Sequence, residues 1–319
     1  MITRRAFSAA AALAIGGGAR AQTRDYPTRP IVLVVPFAAG GAADVLMRVL
    51  APRLGGTVVV ENRAGANGSI GTAFVARAAP DGHTLIATSN ATMGANPAVY
   101  AKLAYDAQTD FTPIAPIGIM PAALVINKDL PATNFSEFLA LLRAKKQNFS
   151  FGSPGVGNPS HLAGERFKRR LGVEMEHVPY RGGSEIMRDL IGGSLQMAFS
   201  PLIECLPYIR SGAIRAIAGM RNVRSKHLPD VPTIVEAGVP GIDYASWQGI
   251  HGPKGMSAQL VRRLNDEIAA IVATPDARDM LDRIVIEPFS MNPAEFAAFD
   301  AEDRARAMVV AREAGVRLD

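Results

Sequence analysis

The chain predicts an α/β fold in which two alternating strand–helix blocks are laid end to end and the C-terminal helices return to cover the first. Apolar runs of strand length alternate with stretches of helical periodicity, and glycine-rich turns separate them. About 300 residues beyond the leader are enough for two cores.

In the first block, Ile31-Val32-Leu33-Val34-Val35 lies between Pro30 and Pro36, a continuous apolar run suited to a buried strand. Residues 42–50 place Ala42, Val45, Leu46, Val49 and Leu50 on one helical face. Val58-Val59-Val60 reads as a second strand and residues 69–78 as a second helix, ending before Pro80-Asp81-Gly82. Leu85-Ile86-Ala87-Thr88 reads as a third strand, followed by the polar turn Ser89-Asn90-Ala91-Thr92. Such βαβ units place helices on both faces of a sheet.

The second block repeats the scheme. Strands are expected at 123–126, 148–152, 174–178, 195–199 and 214–218, with helices at 135–145, 160–170, 184–191 and 202–210, the last despite Pro207. Beyond it, residues 229–233 open a turn-rich section and 247–253 are short and glycine-punctuated. Residues 257–274, 275–283 and 293–314 are mostly helical and need a sheet to cover. The first block is the simplest host. The expected organisation is therefore a first lobe of residues 24–122 and 221–319 interrupted by a second of residues 123–220.

The N-terminus sets the compartment. Arg4 and Arg5 precede an apolar, alanine-rich stretch too short to span a bilayer, and Ala19-Arg20-Ala21 has a small-x-small cleavage pattern, so residues 1–21 read as a signal peptide. Thr3-Arg4-Arg5-Ala6-Phe7 resembles a twin-arginine signal, and the weak hydrophobic core equally suits a general secretory route. The expected fate is export. Removing the leader reduces 34 basic residues to 31 against 29 acidic ones. This near balance gives no electrostatic reason to expect nucleic acid. The short clusters Lys145-Lys146 and Lys168-Arg169-Arg170 suit solvated helix faces. Cys205, the single cysteine, excludes an intrachain disulfide and suits a buried apolar position.

Ligands of α/β sheets bind beyond the C-terminal strand ends, where helix N-termini present free amides. Four turns qualify. The first holds Phe37, Ala38, Ala39, Gly40, Gly41 and Asp44; its paired glycines let amides face an anion. The second, residues 62–69, holds Asn67 and Gly68. The third begins at Ser89 and Asn90. The fourth, in the second block, holds Ser153, Gly155, Gly157, Asn158 and His161, and faces the first. Arg63 and Arg181 are candidate counter-charges, and Gly182 belongs to a further strand-to-helix turn. Scattered histidines, with no His-Glu-x-x-His and no Gly-x-Ser-x-Gly, argue against a metal site or a hydrolase built on Ser153 and His161. No motif requires a cofactor.

The chain resembles the Bug family of substrate-binding proteins of tripartite tricarboxylate transporters. The matching stretches are residues 35–44, Val60-Glu61-Asn62-Arg63-Ala64-Gly65-Ala66-Asn67-Gly68, Ala79-Pro80-Asp81-Gly82-His83-Thr84-Leu85, Tyr105-Asp106 with Asp110-Phe111, His161-Leu162-Ala163-Gly164-Glu165, His177-Val178-Pro179-Tyr180-Arg181-Gly182, and Pro229-Asp230-Val231-Pro232-Thr233 followed by Glu236-Ala237-Gly238. The resemblance implies a two-lobed periplasmic binding protein of the Venus-flytrap type (type II), with a mixed sheet in each lobe. Such a protein delivers a carboxylate-bearing solute to separate membrane permease subunits, and we expect it to act as a monomer. Residues carried over as ligand contacts are Phe37, Ala39, Gly40, Asp44, Ser89, Ser153 and Gly157. One departure stands out: Ser200 follows Met197-Ala198-Phe199 where relatives commonly have an aspartate, which disfavours an amino-acid ligand. A sensor passing its closed state to a signalling partner is the alternative with the same pocket physics.

Overall fold

The computed structural model describes residues 26–144, 148–242 and 244–318; the leader at 1–21 and the Lys145-Lys146 cluster lie outside them. The first lobe opens with β1 (Ile31–Val35), α1 (Ala42–Leu50), β2 (Val58–Asn62), α2 (Ser69–Ala76) and β3 (Thr84–Ser89), then a π-helical turn over Ala91–Ala95 and α3 (Asn96–Val99). β4 (Phe111–Asn127) leads into α4 (Phe135–Ala144), β5 (Ser150–Ser153), α5 (Pro159–Leu171), β6 (Glu176–Pro179), α6 (Gly183–Gly192), β7 (Met197–Pro201), α7 (Leu202–Arg210) and β8 (Ile214–Gly219). The chain closes with β9 (Ala245–Pro253), α8 (Ala258–Ala273), α9 (Pro275–Arg283), β10 (Glu287–Pro288) and α10 (Pro293–Ala314).

Two mixed sheets share β4. In the first, the order is β2-β1-β3-β9-β4, with β1 parallel to β2 and β3, and β9 antiparallel to both β3 and β4. The far end of β4, from Ala122, pairs antiparallel with β7 on one side and β8 on the other, and β5 and β6 extend that second sheet in parallel. Sequence periodicity locates only residues 123–126 of this long strand, because Pro113, Pro116 and Pro121 interrupt the ladder. Register shifts between Pro113 and Ala115 and between Pro116 and Gly118 absorb two of these breaks.

The glycine-punctuated stretch at 247–253 is β9, the central strand of the first sheet rather than a loop. Its glycines mark close packing: a Cβ at Gly249 would stand 2.6 Å from the Phe296 ring and 3.0 Å from the Ala115 carbonyl oxygen. Expected helices recur within a residue or two; α1 buries Ala43, Leu46, Met47 and Leu50 against Ile31, Leu33 and Val35 of β1. Ser257, Thr274 and Asn292 cap α8, α9 and α10 through their side chains, which halts fraying of the covering helices.

The second lobe has a core on each face of its sheet. One gathers Phe135, Phe138, Phe151, Phe167 and Phe199, and reaches past β8 to Ile234, Val239, Ile242 and Tyr244. The segment after residue 220 thus packs on the second sheet before β9 re-enters the first. Cys205 is fully buried there beside Leu202 and Leu206. A small cluster of Ala95, Val99, Leu162, Ala311 and Ala314 joins α3 and α10 to α5, so the lobes touch. Among the described residues, no helix is long and apolar enough to cross a membrane.

Candidate functional site

The starts of α1 and α6 face each other from opposite lobes. The N-cap residues are Gly41 and Gly182, and neither has a side chain to satisfy the first amides of its helix. A Cβ at Gly182 would stand 3.7 Å from Ala38 Cβ, so the two turns nearly meet. Between them lies a cleft whose enclosed part holds about 80 Å³. Each helix presents the equivalent of roughly half a positive charge at this end, which favours anions in a cleft where, among the described residues, Arg181 is the one cation in the lining.

Eight of the sequence-predicted residues line this space: Phe37, Ala38, Ala39, Gly41 and Ser89 from the first lobe, and Asn158, Arg181 and Gly182 from the second. Phe37 is held from behind, where the Asn62 side-chain amide donates to its carbonyl at 3.1 Å.

The other ten shape the walls. Gly40 takes φ +79°, which lets the first turn reverse. Asp44, only 3% exposed, points away from the cleft: it accepts from Gly40 N–H at 2.9 Å, from Arg48 Nε at 2.9 and 3.0 Å and from Asn62 Nδ2 at 2.8 Å. Burial alone would raise its pKa, yet these donors outweigh burial and hold the carboxyl below the usual range. It braces the turn, and its carboxylate is already fully engaged. Asn67 and Gly68 are buried behind Phe37; a Cβ at Gly68 would meet the Phe37 ring at 3.3 Å. Asn90 turns to β9, donating to the Ala245 carbonyl at 3.0 Å and accepting from Ser246 Oγ at 2.8 Å.

In the second lobe, Ser153 Oγ donates to the Gly155 carbonyl at 2.8 Å and meets His177 Nε2 at 2.7 Å. His161 Nδ1 accepts from Gly157 N–H at 3.0 Å, and its ring stacks on His177 with centroids 3.7 Å apart. Ser153 and His161 therefore serve different bonds and make no nucleophile–base pair. Burial, with smaller contributions from neighbouring charges, pushes His161 down to about 3 and His177 to about 4, so both are neutral supports. Ser200 is 3% exposed with a weak bond to the Pro201 carbonyl at 3.4 Å. Arg63 stands outside the lining, paired with Glu61 at 2.6 Å over the Phe74 ring.

Sequence reading missed much of the floor. Ser246 and Gln248 reach the cleft from β9 and Met120 from β4, strands whose full extent prolines and glycines disguise; Tyr244 precedes β9. Glu204 reaches it from the first turn of α7. Only the alternation of polar side chains along Ser246-Trp247-Gln248 hinted at a two-faced strand. Among the described residues, no group of three or more His, Cys, Asp or Glu could hold a metal ion.

Two α/β lobes that share a crossing strand and enclose a cleft between facing helix starts define a periplasmic-binding-protein fold. The model of the tripartite tricarboxylate transporter family receptor matches residues 43–316, and the chain belongs to that family. It is similar to Protein BugT of Bordetella pertussis, 33% identical over 298 residues that cover 92% of this chain and 91% of that one. Among solved structures, the R. palustris protein Rpa4515 with adipate superposes with a TM-score of 0.89 at 34% identity, covering 92% of this chain and all of its own. MatC from Rhodopseudomonas palustris with bound malate gives a TM-score of 0.82 at 31% identity, over 89% and 99% of the two chains. The family is one of receptors, not enzymes, and the hydrolase alternative lapses with the geometry of Ser153 and His161.

Proposed function

We propose that this chain is a periplasmic receptor that captures a small carboxylate-bearing solute between its lobes and delivers it to the permease subunits of a tripartite tricarboxylate transporter. The observation that carries the reading is the convergence of two uncapped helix N-termini, α1 and α6, on one cleft. Amides at helix starts, of which Ala42 N–H has only a long bond to Glu204 Oε1 at 3.3 Å, stabilise an anion through several partial charges without a dedicated arginine. Similar proteins with adipate and malate support the carboxylate class.

In this reading Phe37, Ala38, Ala39, Gly41, Ser89, Asn158, Arg181 and Gly182 contact the solute, joined by Ser246 and Gln248. The remaining expected residues hold the turns in shape. The lobes divide within β4 near Ala122 and again at the return to β9, with the leader removed on export, and the receptor works as a monomer. Capture is a closure, and the permease recognises the closed form.

A thermal-shift screen of refolded, ligand-free protein against mono-, di- and tricarboxylates, amino acids and aromatic acids tests this. Selective binding raises the melting temperature by mass action. A clear rise with one class of carboxylate is expected; a rise only with uncharged solutes, or with none, contradicts the assignment.

A further inference from the structure

The cleft already contains a carboxyl group of the protein's own. Glu204, half-buried on α7, extends its carboxylate to the point where the two helix starts meet. Its Oε1 accepts from Ala42 N–H, the first amide of α1, at 3.3 Å, and Oε2 faces Ser200 Oγ at 3.5 Å. On the other side it lies against Gly183, the first residue of α6, so closely that a Cβ there would fall inside the carboxylate. Burial pushes the carboxyl above its ordinary range despite the Ala42 and Ser200 bonds.

A residue so placed sets a rule for the solute. The helix ends that attract anions already face the Glu204 oxygens, and the cation in the lining, Arg181, stands exposed at the rim. Cys205 and Tyr244, the other titratable groups that interact with Glu204, are both pushed up by burial and stay neutral, so they supply no positive charge. At pH values where Glu204 is ionised, a second carboxylate brought beside it meets a like charge in a confined, weakly screened space. A hydrogen-bond donor brought there finds an acceptor whose other partners are long.

We propose that Glu204 is a specificity-determining residue that selects solutes carrying a carboxylate at one end and a hydrogen-bond donor, rather than a second carboxylate, at the end facing α7. This rests on the capture reading above and narrows it. Recognition of this kind is discriminating, because a buried acceptor left without its donor, or set against a like charge, loses far more than a mismatched methylene costs.

Calorimetric titration at pH 8 with length-matched pairs tests it: succinate against succinamate, glutarate against glutaramate, and adipate against adipamate, on the wild type and on Glu204→Gln. In the wild type the monoamide of the best-fitting length binds at least tenfold tighter than its diacid. In Glu204→Gln, which keeps the shape and removes the charge, the diacid gains at least tenfold and the preference collapses. A wild type that binds the diacid as tightly as the monoamide overturns the proposal, whether or not the variant folds. So does a diacid affinity unchanged by Glu204→Gln in a variant with wild-type circular dichroism. Binding without preference defeats this inference and leaves carboxylate capture standing; no binding by any of the six probes to either protein defeats this inference, and defeats carboxylate capture as well when the thermal-shift screen also finds no carboxylate.

Discussion

Asn158 at the start of α5 donates its side-chain amide to the side-chain oxygen of Asn67, 2.9 Å away in the first lobe. Asn67 in turn donates to Asn96 Oδ1 at 2.7 Å, and Asn96 donates back to the Asn67 carbonyl at 2.9 Å. All three are buried. The lobes are therefore clasped beside the cleft by a chain of neutral amides, which holds without a charged pair to desolvate.

Asn158→Asp breaks that clasp at a residue that also lines the cleft, so scattering of the ligand-free protein is the readout that separates the two roles. The carboxylate keeps the acceptor that caps α5 by receiving Ser160 N–H at 3.1 Å, but has no N–H for Asn67. The variant should melt within a few degrees of wild type, while ligand-free scattering shows a larger radius of gyration and solute binding weakens about tenfold, near the worth of one buried hydrogen bond. Unchanged scattering and affinity would remove the clasp from the closure mechanism.

Asp44 acts on the solute only through the first turn. Asp44→Asn puts an N–H donor among Gly40, Arg48 and Asn62, which are themselves donors, and should cost about 1–3 kcal/mol of stability in urea titration. Binding should weaken as the residue 37–41 turn loosens. Because the folded carboxyl sits below its unfolded value, this contribution is present above the ordinary carboxylate pKa and fades as pH falls through the folded one. A variant as stable as wild type would show that the brace is dispensable.

The stacked histidines predict a different pH window. His161 is neutral in the fold down to about 3, whereas the unfolded chain takes up a proton near 6.5. Its contribution is complete above pH 6.5 and is lost as pH falls toward the folded value, by roughly 2 kcal/mol between pH 7 and pH 5. His177, half-buried, adds to the same trend with smaller weight. Denaturant midpoints should fall over this range, and the ring resonances of both histidines should not titrate above pH 5. A resonance titrating near 6.5 would contradict the buried stack.

Burial pushes the Cys205 thiol well up, and its Sγ lies 3.3 Å from the Pro201 carbonyl. Folded protein should leave an aromatic disulfide reagent unreacted for hours, with one thiol released on adding denaturant. Rapid reaction of the native protein would place the residue elsewhere.

What the sequence made legible follows from where its periodic signals are undisturbed. The helix at Ala42–Leu50 was readable to the residue in its bounds, but not in its face: Ala43 and Met47 join Leu46 and Leu50 in the core, while the expected Ala42, Val45 and Val49 are only partly buried. The facing turns at residues 37–41 and 153–158 were readable as strand-to-helix turns. Whether a residue there lines the cleft or braces it was not: Asp44 and Phe37 sit in one motif, and only the positions of Arg48 and Asn62 in space decide that Asp44 turns inward. β4 and β9 were hidden because prolines and glycines, usually chain breakers, are here accommodated by bulges and by close approach to Phe296. Glu204 had no signal at all. A glutamate in a first helical turn is ordinarily a solvated dipole partner, and only the approach of α1 from the other lobe makes it part of the cleft.

The central claim is that amides at the starts of α1 and α6 hold one solute from both lobes. The most direct measurement is an amide-resolved nuclear magnetic resonance titration of the refolded protein with the best-binding carboxylate, following Gly41, Ala42, Gly182 and Gly183. The account predicts that both pairs shift together and saturate at the same ligand concentration. Shifts confined to one lobe, or to exposed arginines while these four amides stay still, would contradict it.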